Sequence, residues 1–210
     1  MTTLLILGAT GLVGRSVLSQ ALADRSVRRV VAPTRKPLPP HARLHNPQPN
    51  FERLPEDADW WKVDAVACAL GTTIAKAGSR EAFYKVDHDL PLRAGELALA
   101  HGARAYALNS ALGADPQSRV FYSRTKGELE RDLQKLGYPS LTLVRPGLIG
   151  GEREESRPAE QIGVTLSQWL RPLLPLRYRV VPAENIAHHL LLAALAARHG
   201  VHVVPSEAMV

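Results

Sequence analysis

At 210 residues the chain has the length of one domain, and 45% hydrophobic with 22% charged residues is an ordinary globular balance that excludes extended disorder. The net charge of +6 comes from scattered arginines with only 5% aromatic residues, so it fits a solvated surface and a phosphate-bearing ligand, not a nucleic-acid partner. One cysteine excludes an internal disulfide, no apolar run approaches the ~18 residues of a membrane span, and the eight histidines follow no metal-ligand spacing. With no signal-peptide pattern at its start, the chain reads as a cytoplasmic, soluble protein without a metal site and without a membrane partner, its oligomeric state left open.

Leu4-Leu5-Ile6-Leu7 is a continuous apolar run and predicts a buried parallel strand. Gly8-Ala9-Thr10-Gly11-Leu12-Val13-Gly14 follows directly, and then a helix with Val13, Val17 and Ala21 on one stripe. Strand, glycine turn and helix together form a dinucleotide-type phosphate site. Gly8 permits the turn, Gly11 keeps side chains off the pyrophosphate, and Gly14 lets the helix lie close to the strand, with Thr10, Leu12 and Val13 completing the loop. The spacing is G-x-x-G-x-x-G, a loose match to the usual fingerprint.

Val27 to Ala32 predicts strand two and Ala42 to His45 a weak third strand. Pro33 to Pro55, with seven prolines, lacks periodicity and predicts a long irregular surface stretch. Val63 to Leu70 predicts strand four, with Cys68 a small buried residue in it, Asp87 to His101 a helix and Ala103 to Asn109 strand five. Tyr122 to Leu136 predicts a helix with Leu129, Leu133 and Leu136 on its apolar face, and Leu141 to Val144 strand six. Pro172 and Pro175 interrupt the pattern around Trp169; Glu184 to Arg198 predicts a last helix and Val201 to Val204 a closing strand. This alternation is that of an α/β doubly wound parallel sheet, in which ligands lie at the carboxyl ends of the strands.

Strand two ends in Thr34-Arg35-Lys36 with no acidic residue to hold ribose hydroxyls. Arg35 and Lys36 suit a 2′-phosphate instead, which favours NADP(H) over NAD as the cofactor; two basic residues at a loop edge are the plain alternative. Tyr122 and Lys126 are i and i+4 on one helix and share a face, and Ser110 stands twelve residues before Tyr122, just past strand five. That trio suits a carbonyl site. Tyr122 gives a proton to the oxygen, Lys126 stabilises the phenolate and binds cofactor ribose, and Ser110 holds the oxygen.

These residues together resemble a short-chain dehydrogenase/reductase of the extended or atypical kind. The closer likeness, to the small Tat-interacting-protein-like oxidoreductase branch, is carried by Ala69-Leu70-Gly71-Thr72-Thr73, Lys76-Ala77-Gly78, Asn109-Ser110-Ala111-Leu112-Gly113-Ala114, Lys126-Gly127-Glu128, and Val144-Arg145-Pro146-Gly147 with Glu155-Ser156-Arg157-Pro158. The resemblance implies one NAD(P)-binding Rossmann domain over residues 1–210, with a short C-terminal substrate-binding extension in which 147–183 form a small cap. It also implies that Leu70, Gly71 and Thr72 line the cofactor, the last two under the nicotinamide ribose, and that Pro146-Gly147-Leu148 meet the carboxamide. Where the family often has an aspartate near the adenine, this chain has Asn50 before Phe51. Gly71 to Arg80 and Gly147 to Pro158, with Arg153 and Arg157, are expected to shape the substrate pocket, unless those arginines pair with Glu152, Glu154 or Glu155. The implied activity is NADP-dependent reduction of a small carbonyl compound. Two alternatives stay open: an NADPH-binding regulatory or redox-sensing module without turnover, and epimerase or dehydratase chemistry on the same triad. The short C-terminal part argues against a nucleotide-sugar epimerase.

Overall fold

The strands at the centre of the molecule are apolar throughout because both faces of their sheet are covered by helices. The computed structural model describes residues 1–150 and 175–210. Its elements are β1 (Thr2–Leu7), α1 (Leu12–Ala23), β2 (Val27–Val31), β3 (Leu44–His45), β4 (Ala65–Cys68), α2 (Ile74–Ala77), α3 (Arg80–Tyr84), α4 (Leu90–Ala100), β5 (Ala105–Asn109), α5 (Phe121–Lys135), β6 (Ser140–Arg145), β7 (Ile149–Gly150), β8 (Val181–Pro182), α6 (Ala183–Ala196) and β9 (Gly200–Pro205). Seven strands form one parallel sheet in the order β3-β2-β1-β4-β5-β6-β9, and β7 and β8 form a separate parallel pair. The α/β doubly wound sheet expected from the alternation is the fold observed.

Side chains alternate across the sheet, and the alternation sorts the core into two layers. Leu4, Ile6, Ala65, Ala67, Ala105 and Ala107 face α1 and α6, whose Val13, Val17, Ala21, Ile186 and Leu190 close that layer. Leu5, Leu7, Val66, Cys68, Tyr106 and Leu108 face α4 and α5, closed by Leu97, Leu129 and Leu133. The Tyr106 hydroxyl donates to Pro91 O at 3.0 Å and that of Tyr138 to Gly95 O at 2.6 Å, so neither buried phenol is left unpaired.

Three differences from the sequence reading have local causes. The segment between strands two and four is irregular but anchored. Asn46 accepts Leu38 N–H at 2.8 Å and donates to Thr34 Oγ1 at 2.7 Å, Arg43 donates to Asp24 O at 2.7 Å behind the end of α1, and Trp61 is fully buried with its Nε1 donating to Pro55 O at 2.7 Å. The helix expected from Asp87 begins earlier. Ser79 caps α3 by accepting Ala82 N–H at 3.0 Å, and a π-helical turn, Lys85–Asp89, joins α3 to α4. The last helix stops at Ala196 and not Arg198, because Ala197 turns left-handed at φ 45°. The remaining boundaries shift by one or two residues: β4 is shorter than Val63 to Leu70, β3 is shorter than Ala42 to His45, and β6 and β9 extend past their expected ends. Arg153, Arg157, Glu152, Glu154, Glu155, Trp169 and most of the 147–183 cap lie outside the described residues.

The π-helical turn is also tied to the outer side of α5. Asp132 accepts from Arg131 at 2.9 Å, Lys135 at 2.7 Å and the buried His88 at 3.2 Å. Arg131 first, then Lys135 and His88, hold the Asp132 carboxyl well below its ordinary range, against the cost of its partial burial. A depressed folded-state pKa contributes stability that is complete above the unfolded carboxylate value near ~3.9 and is lost as pH falls through the folded value. Asp132→Asn should therefore melt below the wild type at pH 7, and the gap should close as pH falls below about 4. A gap that is independent of pH would contradict this.

The second prediction concerns the crossing of β1 and α1. A Cβ on Gly14 would sit 2.0 Å from Gly8 O, a backbone atom that cannot step aside. Gly14→Ala should cost about 2–3 kcal/mol in urea unfolding, at the upper end of overpacking penalties. An unchanged midpoint would show that the crossing has slack.

Candidate active site

The β1–α1 turn is built by backbone contact. Gly8 takes φ +81°, and a Cβ there would lie 2.7 Å from Ala69 O and Leu70 N at the exit of β4. Gly11 N–H donates to Gly8 O at 2.9 Å and Gly11 then caps α1 with no side-chain hydrogen bond and no acidic residue in the first turn. The positive end of the α1 dipole is thus left without a protein anion of its own first turn or cap. Thr10 and Gly11 are exposed, Leu12 is half-buried, and Val13 and Gly14 are buried. Val13 has its side chain in the core, so only its backbone is available to a ligand.

Arg35 and Lys36 are exposed beyond β2, on a segment fixed by the 2.6 Å bond from Thr34 Oγ1 to Lys36 O. Neither pairs with an acidic side chain among the described residues. Asn50 closes a local turn by accepting Glu52 N–H at 2.9 Å.

Ser110 continues the β5 ladder, donating its N–H to Val144 O at 2.8 Å. By alternation it falls on the face of Tyr106 and Leu108, toward α5, while Asn109 falls with Ala105 and Ala107 on the α1 face. Ser110 Oγ and Asn109 Oδ1 are both buried with no hydrogen-bond partner among the described residues. Buried orphan polar atoms cost about 1–3 kcal/mol each, which is tolerated most readily where a ligand supplies the missing partner.

Tyr122 and Lys126 are one turn apart on α5 with opposite surroundings. Tyr122 is 40% exposed and forms a wall of an open pocket of about 310 Å³, with Ala111, Leu112, Pro146, Gly147, Leu148 and Tyr178 around it. Lys126 is 4% exposed and does not line that pocket. No hydrogen bond joins the Tyr122 and Ser110 hydroxyls. Gly147 is held by its N–H, which donates to the buried Ser206 Oγ at 3.0 Å, and Arg145 beside it donates to Glu130 at 2.9 Å.

Lys126 Nζ lies 2.7 Å from Asp87 Oδ1, and Asp87 Oδ2 accepts Thr72 N–H at 2.7 Å. A Cβ on Gly71 would meet Asp87 Oδ1 at 3.3 Å and Lys126 Nζ at 3.7 Å, so the turn lies directly on the ion pair. Burial alone would push the Lys126 ammonium down, but the Asp87 carboxylate, with Tyr122, outweighs it and holds the group above the ordinary lysine value. Burial likewise pushes the Cys68 thiol up and keeps it neutral under the site. The packing thus gathers Gly8, Leu70, Gly71, Thr72 and Lys126 in one place and Tyr122, Pro146 and Leu148 in the adjoining pocket, with Arg35 and Lys36 at the far exit of β2. Gly127 lets α5 press on the loop at Asp115, where a Cβ would fall 2.2 Å from the carbonyl carbon.

Sequence reasoning did not find Asp87. Its only signal was an acidic residue at the expected start of a helix, and nothing in the spacing ties it to a lysine 39 positions later. Among the described residues no group of three or more His, Cys, Asp or Glu is placed to hold a metal, and no helix is long and apolar enough to cross a membrane.

No family model matches the chain. Among solved structures it is similar to MoeE5 in complex with UDP-glucose and NAD, with a TM-score of 0.74 and 18% identity over 96% of this chain and 75% of that one. It is also similar to the UDP-Glc/GlcNAc 4-epimerase of Campylobacter jejuni, with a TM-score of 0.70 and 12% identity over 98% and 78%. At these identities the likeness is one of fold. In sequence it is 38% identical to the mitochondrial protein fmp52 of Emericella nidulans over 172 residues, 77% of this chain and 73% of the relative. The mitochondrial protein FMP52 of Candida albicans is 34% identical over 175 residues, 79% and 76%. These names overturn the expectation of a cytoplasmic protein. That expectation draws on composition, and the composition of a folded domain carries no address. By the identity and the coverage of these relatives, the chain belongs to the FMP52 family.

Proposed function

We propose that the chain is an oxidoreductase of the short-chain dehydrogenase/reductase type, akin to the Tat-interacting-protein-like branch, that uses NADP(H) to reduce a small carbonyl compound. The observation that carries this reading is the pairing on α5 of a buried, charged Lys126 with a pocket-facing Tyr122 one turn away, together with a buried Ser110 hydroxyl, next in sequence to the pocket residue Ala111, that has no partner among the described residues. Structural neighbours in complex with NAD, such as MoeE5, support a nicotinamide dinucleotide in this fold.

The residues present fit such a cofactor. The bare α1 N-terminus suits a pyrophosphate, and Gly71 leaves room for a sugar ring against Lys126. Arg35 and Lys36 offer unengaged charge for a 2′-phosphate. When bound, the dinucleotide supplies a hydride. The chain's own part is to orient and protonate. Ser110 donates a hydrogen bond to the carbonyl oxygen, Tyr122 gives that oxygen a proton, and Lys126 stabilises the phenolate left behind. The walls of Ala111, Leu112, Pro146 and Leu148 are apolar, which strengthens each of these interactions by thinning the water around them. They also suit a small, largely apolar substrate.

NADPH oxidation with a panel of aldehydes, ketones and quinones tests the reading. On any substrate found, Tyr122→Phe should lower kcat about a hundredfold or more with cofactor affinity nearly unchanged. Ser110→Ala should also lose turnover, and Asn109→Ala should lose far less. Binding of NADPH without oxidation of any substrate would instead favour a sensing module.

The cofactor choice is tested separately. Arg35→Ala should weaken NADPH about tenfold or more, as expected for losing a charge-assisted bond, and leave NADH unchanged. Equal wild-type affinity for the two cofactors would contradict the assignment.

A further inference from the structure

Asp87 is 1% exposed and touches no part of the open pocket, yet it is bonded to both halves of the site. A buried carboxylate is strongly destabilising unless paired and hydrogen-bonded. Here both oxygens are used: Oδ1 on Lys126 Nζ and Oδ2 on Thr72 N–H, each at 2.7 Å. It lies within the π-helical turn Lys85–Asp89, a kind of helical irregularity often found at functional sites. The turn interrupts an otherwise continuous helical path from Arg80 to Ala100. Three separate elements therefore meet at one carboxylate: the exit of β4, the α3–α4 turn and α5.

We propose that Asp87 is a positioning residue, a buried carboxylate that keeps Lys126 charged and aimed and ties it to the Gly71–Thr72 turn. The inference rests on the role given above to Lys126. Its consequence is that the part of the site meeting the cofactor ribose and the part meeting the proton donor are held as one unit. The groups facing Lys126 are Asp87 from the α3–α4 turn, Cys68 from β4 and Tyr122 from its own helix. Cys68 is a buried thiol held neutral, so Asp87 is the carboxylate that offsets the burial of the ammonium.

The test uses Asp87→Asn, which keeps the shape and can still accept Thr72 N–H but removes the charge. Following the lysine side chains by heteronuclear NMR, with Lys126 assigned from Lys126→Arg, should show Lys126 titrating at least one pH unit lower in the variant. NADPH affinity, read by fluorescence, should fall about tenfold. Turnover should fall off with rising pH earlier than in the wild type, in step with the Lys126 titration. An unchanged Lys126 titration would overturn the proposal.

Should the single variant fold poorly, Asp87→Asn/Lys126→Met removes the buried charges together. Its NADPH affinity should match that of Lys126→Met alone, because Asp87 acts through Lys126. A further loss in the double variant, additive with the single, would show that Asp87 acts independently and would also overturn the assignment. Failure of the wild type to bind any dinucleotide would sink the functional reading, while the Lys126 titration would still decide the role of Asp87.

Discussion

The closeness of three backbones at the carboxyl end of the sheet is the constraint on which the site depends. Gly14 lies against Gly8 O, and Gly8 lies against Ala69 and Leu70, at separations that leave no room for a side chain. β1 and β4 are neighbours, and between them the strand order reverses: the chain leaves β1 toward α1 on one face and leaves β4 toward α4 on the other. The diverging chains open a crevice there, the usual place for a ligand in such sheets. Without the glycines, α1 would have to stand off from β1 and its N-terminus would no longer point across that crevice. Small residues extend the same logic inward. Ala65, Ala67, Ala105 and Ala107 keep the face under α1 and α6 thin, so both helices sit close to the sheet.

On the other face the chemistry is arranged by depth. Lys126 is sunk under the Gly71–Thr72 turn against a carboxylate, and Tyr122 is lifted one helical turn toward the apolar pocket. An isolated ammonium at that depth would shed its proton, since desolvation of a buried charge can shift a pKa by several units. The Asp87 contact reverses the direction. Among the described residues, Ser110 Oγ and Asn109 Oδ1, successive residues at the end of β5, are the buried side-chain polar atoms left without a partner. A folded chain pairs nearly all its buried polar groups, so two orphans at successive positions are where a bound ligand would most readily be accommodated.

The sequence made the repeating parts of the structure legible. Continuous apolar runs located β1, β4, β5 and β6, and the 3.6-residue spacing of Val13, Val17 and Ala21 and of Leu129 and Leu133 located α1 and α5. The place of Tyr122 and Lys126 one turn apart on α5, and of Ser110 just past the end of β5, was legible because each is set locally by a helix or strand. Contacts between distant segments were not. Asp87 meets Lys126 across 39 positions, Asn46 reaches back to fasten the chain at Thr34, and Ile149–Gly150 pairs with Val181–Pro182, and none of these has a periodicity. The π-helical turn is equally silent, since it has no periodicity of its own in the sequence. The compartment was misread because nothing in the folded domain encodes it.

The most direct measurement is a crystal structure of the protein with NADP⁺ bound. The account predicts the pyrophosphate at the N-terminus of α1 beside Gly11, the 2′-phosphate at Arg35, and the nicotinamide ribose over Gly71 within reach of Lys126, with the ring facing Tyr122. A dinucleotide bound away from the β1–β4 crevice, or with its ribose remote from Lys126, would contradict it.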